Sequence, residues 1–243
     1  MRPTAAIVVI GDEILAGKFA DENAGYAIGQ LRELGVALRR IEVIPDDLDD
    51  IAASVRAASA RYTHVLTSGG IGPTHDDLTM EGIARAFDVP VERHPELERL
   101  LRRYYGERLD EHHLRMANAP RGAALVVSDH PEWPVCAFRN VYILPGIPLI
   151  FRRKLDAIKE RFRAPPFHLA RVYALGDEAW LAPRLEAVLA AFPGVTIGSY
   201  PRIDAADYRV MLTLEAEDPR RLAAAVADLE ARLAPDMHVR TEA

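Results

Sequence analysis

The first third of the chain alternates short unbroken apolar runs with stretches in which apolar side chains recur every three or four residues. Ala5–Gly11, "AAIVVIG", is an apolar run closed by glycine, the pattern of a strand buried on both faces of a parallel sheet. From Asp21 to Gly35, the positions Ala24, Ile28, Leu31 and Leu34 recur at helical spacing, with Asp21 able to cap the helix and Gly35 to end it. "VALRRIEVIP" predicts a second strand. "DDLDDIAASVRAASAR" predicts a second helix, with Leu48, Ile51, Val55 and Ala58 on one side and acids in the first turn, where the helix dipole favours them. "HVLTSGG" predicts a third strand and "LTMEGIARAF" a third helix. This alternation specifies an α/β fold, a wound and mostly parallel sheet with right-handed crossovers.

The pattern then loosens. "PELERLLRRYYGERL" and "DEHHLRMANA" predict helices covering the sheet. "AALVVS", "VCAFRN" and "VYILPG" predict short strands, the last two joined as a hairpin at "RNVY", before a helix over "PLIFRRKLDAIKERF". At "RAPPFH", Arg163–His168, two prolines favour an extended link. We place a domain boundary there, giving residues 1–165 and a second, smaller α+β domain over residues 166–243. The second part runs strand, helix, strand, strand, helix and a final "HVRT", an order that suggests a split βαβ sandwich.

Between the third strand and third helix lies "LTSGGIGPTHDDLT", Leu66 to Thr79. Ligands bind at such strand ends in open α/β sheets. Gly69, Gly70 and Gly72 can adopt positive φ and bring backbone N–H groups close to a bound group. Free N–H groups beside a helix N-terminus suit an anion, typically phosphate. Thr67, Ser68 and Thr74 add hydroxyl donors, and any Cβ at Gly70 would intrude on the ligand or forbid positive φ. Asp76 and Asp77 would repel a phosphate unless a divalent cation sits between carboxylate and phosphate oxygens, or one aspartate positions a water. The plain alternative is a tight turn whose aspartates cap the helix. Asp12 and Glu13 follow the first strand, and Asp46 and Asp47 the second, so these acids can converge on the loop or form a solvated helix start. "GDEILAGKF" is not a P-loop: five residues separate Gly11 from Gly17, and Phe19 stands where Ser or Thr must reach magnesium. His112 and His113 are helix neighbours that face different directions, and His75 lies inside the loop.

Composition narrows the class. With 49% hydrophobic and 27% charged residues, the chain has material for a core, and its net charge of −6 argues against nucleic acid and anionic membrane as partners. The single cysteine, Cys136, permits no internal disulfide. No apolar run reaches the ~18 residues of a membrane span, and a cytoplasmic location is expected.

"GDEILAGKFADEN", "VIPDD", "SGGIGPTHDDLT" and "LPGIP" resemble, in order, motifs of the molybdopterin-binding-like domain shared by MoaB/Mog, gephyrin and CinA proteins. "RNVYILPGIP" and "IGSYP…DYRVMLTLE" look closest to the non-synthetase domain of FAD synthases and its stand-alone bacterial relatives. The resemblance implies a three-layer α/β domain, often a homo-oligomer. Mog-type members adenylylate molybdopterin, and CinA- and FAD-synthase-type members are associated with metal-dependent cleavage of a pyrophosphate in ADP-ribose or FAD. Carried over by motif, Gly69, Gly70, Gly72, Pro73 and Thr74, with Thr67 and Ser68, would hold the phosphate of a nucleotide or pterin. Asp77 and Asp46 would act at the reacting group. A divalent metal (magnesium, manganese or cobalt) would sit on Asp77, Asp76 and Asp12, while Asn23 and Gly146 would join from the first motif and the facing loop. The chain departs from CinA at Arg115-Met116-Ala117, where "KQA" is usual, and at "SDHPEWPVCAF", which replaces a glycine-rich stretch. The motifs of the CinA deamidase and of the FAD-synthase catalytic domain do not occur in these residues, so neither activity is expected of them.

Overall fold

A computed structural model describes residues 2–126, 134–202 and 207–242. The chain divides into two compact units, Met1–Ala164 and Pro165–Ala243.

The first unit begins with β1 (Thr4–Ile10), a single helical turn α1 (Asp12–Leu15), α2 (Asn23–Glu33), β2 (Ala37–Ile44), α3 (Leu48–Arg61), β3 (His64–Ser68) and α4 (Thr79–Ala86). It continues through β4 (Val91–Arg93), α5 (Pro95–Tyr105), α6 (Glu111–Arg115), β5 (Asn118–Pro120), β6 (Ala124–Val126), β7 (Val135–Phe138), β8 (Val141–Leu144) and α7 (Pro148–Ile158). The main sheet has the order β2-β1-β3-β8-β7-β6. β2, β1, β3 and β8 run parallel, and β7 and β6 complete the edge antiparallel. The chain moves outward from β1 to β2 and then returns past β1 to β3, so the winding reverses between β1 and β3. Ligand crevices form at the carboxyl ends of strands at such a reversal.

β1 explains the three layers. Ala5, Ile7 and Val9 enter one core with Ala24, Ala27 and Leu31 of α2 and Phe151, Leu155 and Ile158 of α7. Ala6, Val8 and Ile10 enter the other with Ile51, Val55 and Ala58 of α3 and Ile83 and Ala86 of α4. A strand buried on both sides has to read as an unbroken apolar run, and this one does.

Three expectations need correction. Ile28 is 41% exposed, and Ala27 takes the buried position on α2. The segment expected as one helix over residues 110–119 is helical only to Arg115. Asn118–Pro120 then pairs with β4 as a two-stranded ribbon, which suits Pro120, a residue that cannot donate within a helix. Finally, α5 meets the sheet at its edge and does not lie across its face: Leu97, Leu100 and Leu101 close a small core with Ala117, against which Leu125 of β6 packs. The hairpin at "RNVY" forms as expected between β7 and β8. Arg139 takes a left-handed φ of 53° in its turn, and its guanidinium lies 4.6 Å over the Phe87 ring. Val127 and Ser128 of the "AALVVS" run, and most of "SDHPEWPVCAF", lie outside the described residues.

The second unit consists of β9 (His168–Ala174), α8 (Glu178–Ala191), β10 (Thr196–Pro201), β11 (Val210–Ala216), α9 (Pro219–Arg232) and β12 (His238–Glu242). Its antiparallel sheet has the order β10-β11-β9-β12, the split βαβ arrangement. Val172, Leu212 and Leu214 from alternate sheet positions pack with Leu181, Val188 and Leu229 of the two helices. Among the described residues, no helix is long and apolar enough to cross a membrane.

Because each unit has its own core, a fragment of residues 1–164 is expected to fold alone, giving a cooperative melt by circular dichroism. A fragment without a melt in any condition, while the full chain is stable, would show one cooperative unit instead. Within the first unit, α3 and α4 touch at Gly82, where a Cβ would overlap the Ile51 side chain. Helix propensity favours alanine there by about 1 kcal/mol. Overpacking costs about 1–3 kcal/mol and should win. Gly82→Ala should therefore lower the urea midpoint, and a raised midpoint would mean the helices can separate freely.

Candidate functional site

The loop between β3 and α4 sits at the winding reversal. Gly69 and Gly70 take φ of +105° and +64°, values that side chains rarely tolerate. At Gly69 a Cβ would overlap the Ile10 carbonyl at the end of β1, and at Gly70 it would overlap the Thr79 hydroxyl. The space around Gly70 is thus reserved for Thr79, not for a ligand as the sequence suggested. Thr79 Oγ1 donates to the Gly69 carbonyl at 2.8 Å, and its N–H donates to the Gly70 carbonyl at 3.0 Å. Gly69 N–H donates to the Leu144 carbonyl at 3.1 Å, which ties the turn to β8. What remains is a run of backbone donors: the N–H groups of Gly70, Ile71 and Gly72 make no hydrogen bond among the described residues. Three consecutive, half-buried, unpaired amides are the kind of donor row that suits an anion.

The acids divide into two groups around this turn. Asp12 follows β1, and its N–H donates to Asp46 Oδ2 at 2.9 Å beyond β2. Burial pushes the half-buried Asp46 carboxyl above the usual carboxylate range; the Asp12 N–H opposes this, and the charges of Glu13, Asp12 and Asp76 push it further up. Asp76, on the exposed tip of the loop, is held below that range chiefly by its hydrogen bond with Thr74. Asp77 is turned back into its own loop. Its Oδ2 accepts the Thr74 N–H at 2.8 Å and also the Thr74 hydroxyl, which leaves Oδ1 without a partner among the described residues. Gly72 does not adopt positive φ; its missing side chain makes room for that carboxylate, since a Cβ would lie 2.6 Å from Asp77 Oδ2. Asp47, in contrast, is a helix cap, accepting from the N–H groups of Asp49 and Asp50 at 2.8 and 3.0 Å.

The remaining sequence-predicted residues support the turn from behind. Asn23, at the start of α2, donates to Ser68 Oγ at 2.9 Å and to the Gly146 carbonyl at 2.7 Å. It thereby links three elements, and its Oδ1 is buried without a partner. Asp21 caps α2 by accepting the Asn23 N–H at 2.9 Å. Gly146 packs against Gly69, where a Cβ would lie 3.4 Å from the Gly69 Cα. Thr67 is fully buried on the α3 and α4 side of β3 with an unpartnered hydroxyl, so it faces the core and not the loop surface. Pro73 and His75 are exposed at the loop tip.

The metal set is not brought together. Among the described residues no three His, Cys, Asp or Glu side chains converge to hold an ion. The acids that are present suit a cation carried on phosphate oxygens, since magnesium is commonly held by one or two carboxylates plus substrate phosphates.

Two participants carried no signal in the sequence reading. Thr79 looked like an ordinary first helical residue. Arg115 ends α6, far along the chain, yet it, Met116 and Asn118 line one shallow cleft with Gly70, Gly72 and Asp77. Met80 and Glu81 of α4 line it as well. The position of Arg115 in a departure from the CinA motif was the one clue.

A doubly wound α/β domain with an open anion turn at its winding reversal is a class shared by many ligand-binding proteins. Comparison with known proteins narrows it. Residues 6–164 match the family described as "Probable molybdopterin binding domain", and residues 166–242 match "FAD synthase, middle domain". The chain belongs to this MoaB/Mog-like family, in the branch that includes CinA-like proteins and FAD synthases. It is 33% identical to a "Probable FAD synthase" of Caenorhabditis elegans over 262 residues, covering 96% of this chain but 50% of that protein. The chain thus spans about half the length of the FAD synthase it matches. A protein of Archaeoglobus fulgidus is 34% identical over 224 residues, which is 92% of this chain and 95% of that one. The crystal structure of a CinA of unknown function from Thermoplasma acidophilum matches with a TM-score of 0.60 and 31% identity, over 66% of this chain and 99% of that one.

The crowding of acids at Asp46 generates a pH prediction. A carboxyl raised in the folded state is destabilising once ionised. The penalty is absent below the ordinary carboxylate range and grows as pH rises through the folded value. Asp46→Asn, which can still accept the Asp12 N–H, should melt higher than the unaltered protein at pH 7, and the gain should disappear as pH falls below the carboxylate range. A lower melting temperature at pH 7 would show that the cluster is not strained.

Proposed function

We propose that the first unit binds the diphosphate of a nucleotide at the β3–α4 turn and hydrolyses the phosphoanhydride, with ADP-ribose and FAD as candidate substrates. The observation that carries this reading is the row of unpaired amides at Gly70, Ile71 and Gly72, flanked by carboxylates that a bare phosphate would repel. Amides fixed by Thr79 and Gly146 need no reorganisation as charge develops on the phosphoryl oxygens, which is the condition under which such donors help a transition state most. A divalent cation bound with the substrate would neutralise the diphosphate and lower the pKa of the attacking water. In this reading Asp46, whose raised carboxyl among neighbouring acids supports the role, orients that water and takes its proton. The water oxygen bonds to phosphorus, the bridging P–O bond breaks, and the leaving phosphate departs as the second product. Asp77, anchored by Thr74, keeps the loop closed and offers Oδ1 to the substrate or its cation.

A second reading uses the same turn for adenylyl transfer to molybdopterin. It is favoured by the family description of residues 6–164. In it, the amides hold the pterin phosphate and ATP supplies the adenylyl group.

The test is a product assay on the full chain. ADP-ribose, FAD, and molybdopterin plus ATP are each incubated with magnesium, manganese or cobalt. Release of AMP from ADP-ribose or FAD, and a fall of about 10²-fold or more in Asp46→Asn, is the expected result. Gly70→Ala should lose about 1 kcal/mol or more of stability and also lose affinity and turnover together. Adenylylated molybdopterin without hydrolysis would favour the second reading. Binding without any turnover would leave a nucleotide- or pterin-binding module.

A further inference from the structure

The cleft beside the glycine turn contains a cation without a bonded counterion among the described residues. Arg115 is half-buried at the end of α6, and it makes no hydrogen bond or ion pair among the described residues. It shares the cleft with Asp77 and Glu81, yet bonds to neither. The contrast with its neighbours is plain. Arg85 pairs with Asp49, Arg93 with Glu111 at 3.0 Å, and Arg121 with Glu92 at 2.9 Å, all on more open surface. Removing a guanidinium from water without a partner is unfavourable, so a half-buried unpaired arginine facing a cleft is poised for an anion. Its planar fork suits the paired oxygens of a phosphate better than an ammonium would.

Gly70, Ile71 and Gly72, the three residues whose amides are unpaired, line the same cleft as Arg115. A single phosphate on those amides leaves the guanidinium unused, while a second phosphate joined to the first can reach it. Met80, Met116 and Ile71 line the same cleft and give an apolar surface beside the two phosphates, with Asn118 as a polar group among them.

We propose that Arg115 is a specificity-determining residue that grips the second phosphate, so that the site selects diphosphates over monophosphates. This rests on the reading of the glycine turn as the phosphate site. Asp77 and Glu81 line the same cleft without bonding to Arg115, which leaves the fork available, and bound diphosphate becomes its counterion.

The experiment is calorimetric titration of the full chain with ADP, AMP, pyrophosphate and orthophosphate, with and without magnesium, for the unaltered protein, Arg115→Met and Arg115→Lys. Arg115→Met keeps the apolar stem and removes the charge. It should weaken ADP and pyrophosphate about 10–100-fold, the range for a charge-assisted hydrogen-bond pair, and change AMP and orthophosphate less than about 3-fold. Arg115→Lys should fall between the two, because it keeps charge and loses the fork. Both variants should melt within a few degrees of the unaltered protein. Equal losses for ADP and AMP would overturn the assignment by making Arg115 a support of the loop. Undiminished ADP binding in Arg115→Met would overturn it outright while the glycine-turn reading stands. An unaltered protein that binds none of the four would overturn both.

Discussion

The first unit depends on two left-handed residues in succession at the end of β3. Gly69 has to pass under the Ile10 carbonyl and against Gly146, and Gly70 has to clear Thr79. With any other residue the β3 chain could not turn there while β1 and β8 stay paired on either side of it. The consequence is chemical. A turn this tight points consecutive amides outward, and Thr79 satisfies the two carbonyls that would otherwise compete for them. Asn23 completes the arrangement by holding β3, α2 and the loop after β8 together through one carboxamide. The groups that make the candidate site are therefore mostly backbone, and the polar residues around it act by holding that backbone still.

Opposing charges give the site its second character. Asp12, Glu13, Asp46 and Asp76 crowd one side of the turn, with Asp46 pushed above its ordinary range by burial and by like charge. The unpaired amides and Arg115 line one cleft beside the turn. Like charge crowds the acids, and the amides have no acceptor among the described residues, so the metal-bound diphosphate proposed above would bring a cation to the first and an anion to the second. Stability given up at such a place is the usual accompaniment of a site held ready for a ligand.

Much of this was legible in the residues. Unbroken apolar runs located β1 and β3, because a strand covered on both faces has no polar side to show. Gly-Gly followed by Ile-Gly located the turn, since few other sequences permit successive positive φ. Asp12 and Asp46 were legible as partners because parallel neighbours end along one edge, and the Asp12 N–H does reach Asp46. Local spacing misled where two patterns fit. Ile28 and Ala27 both suit a helical face, and only the distance to β1 and α7 decides that the smaller residue faces inward. Residues 116–120 carry no strand signal of their own, because a three-residue ribbon exists only once β4 lies beside it.

By itself, then, the sequence determined the kinds of element, the winding, the turn and the acids that follow each strand, all of which follow from local periodicity and backbone freedom. Tertiary structure alone decided which groups are left unpaired. Thr67 turns into the core and Ser68 is taken by Asn23, although both looked like ligand donors. Asp77 is spent on Thr74, while the amides of Gly70 to Gly72 remain free. Arg115 lines a cleft with them from more than forty residues away in the chain. Whether a polar group is satisfied depends on what packs against it from distant segments, and no local pattern encodes that.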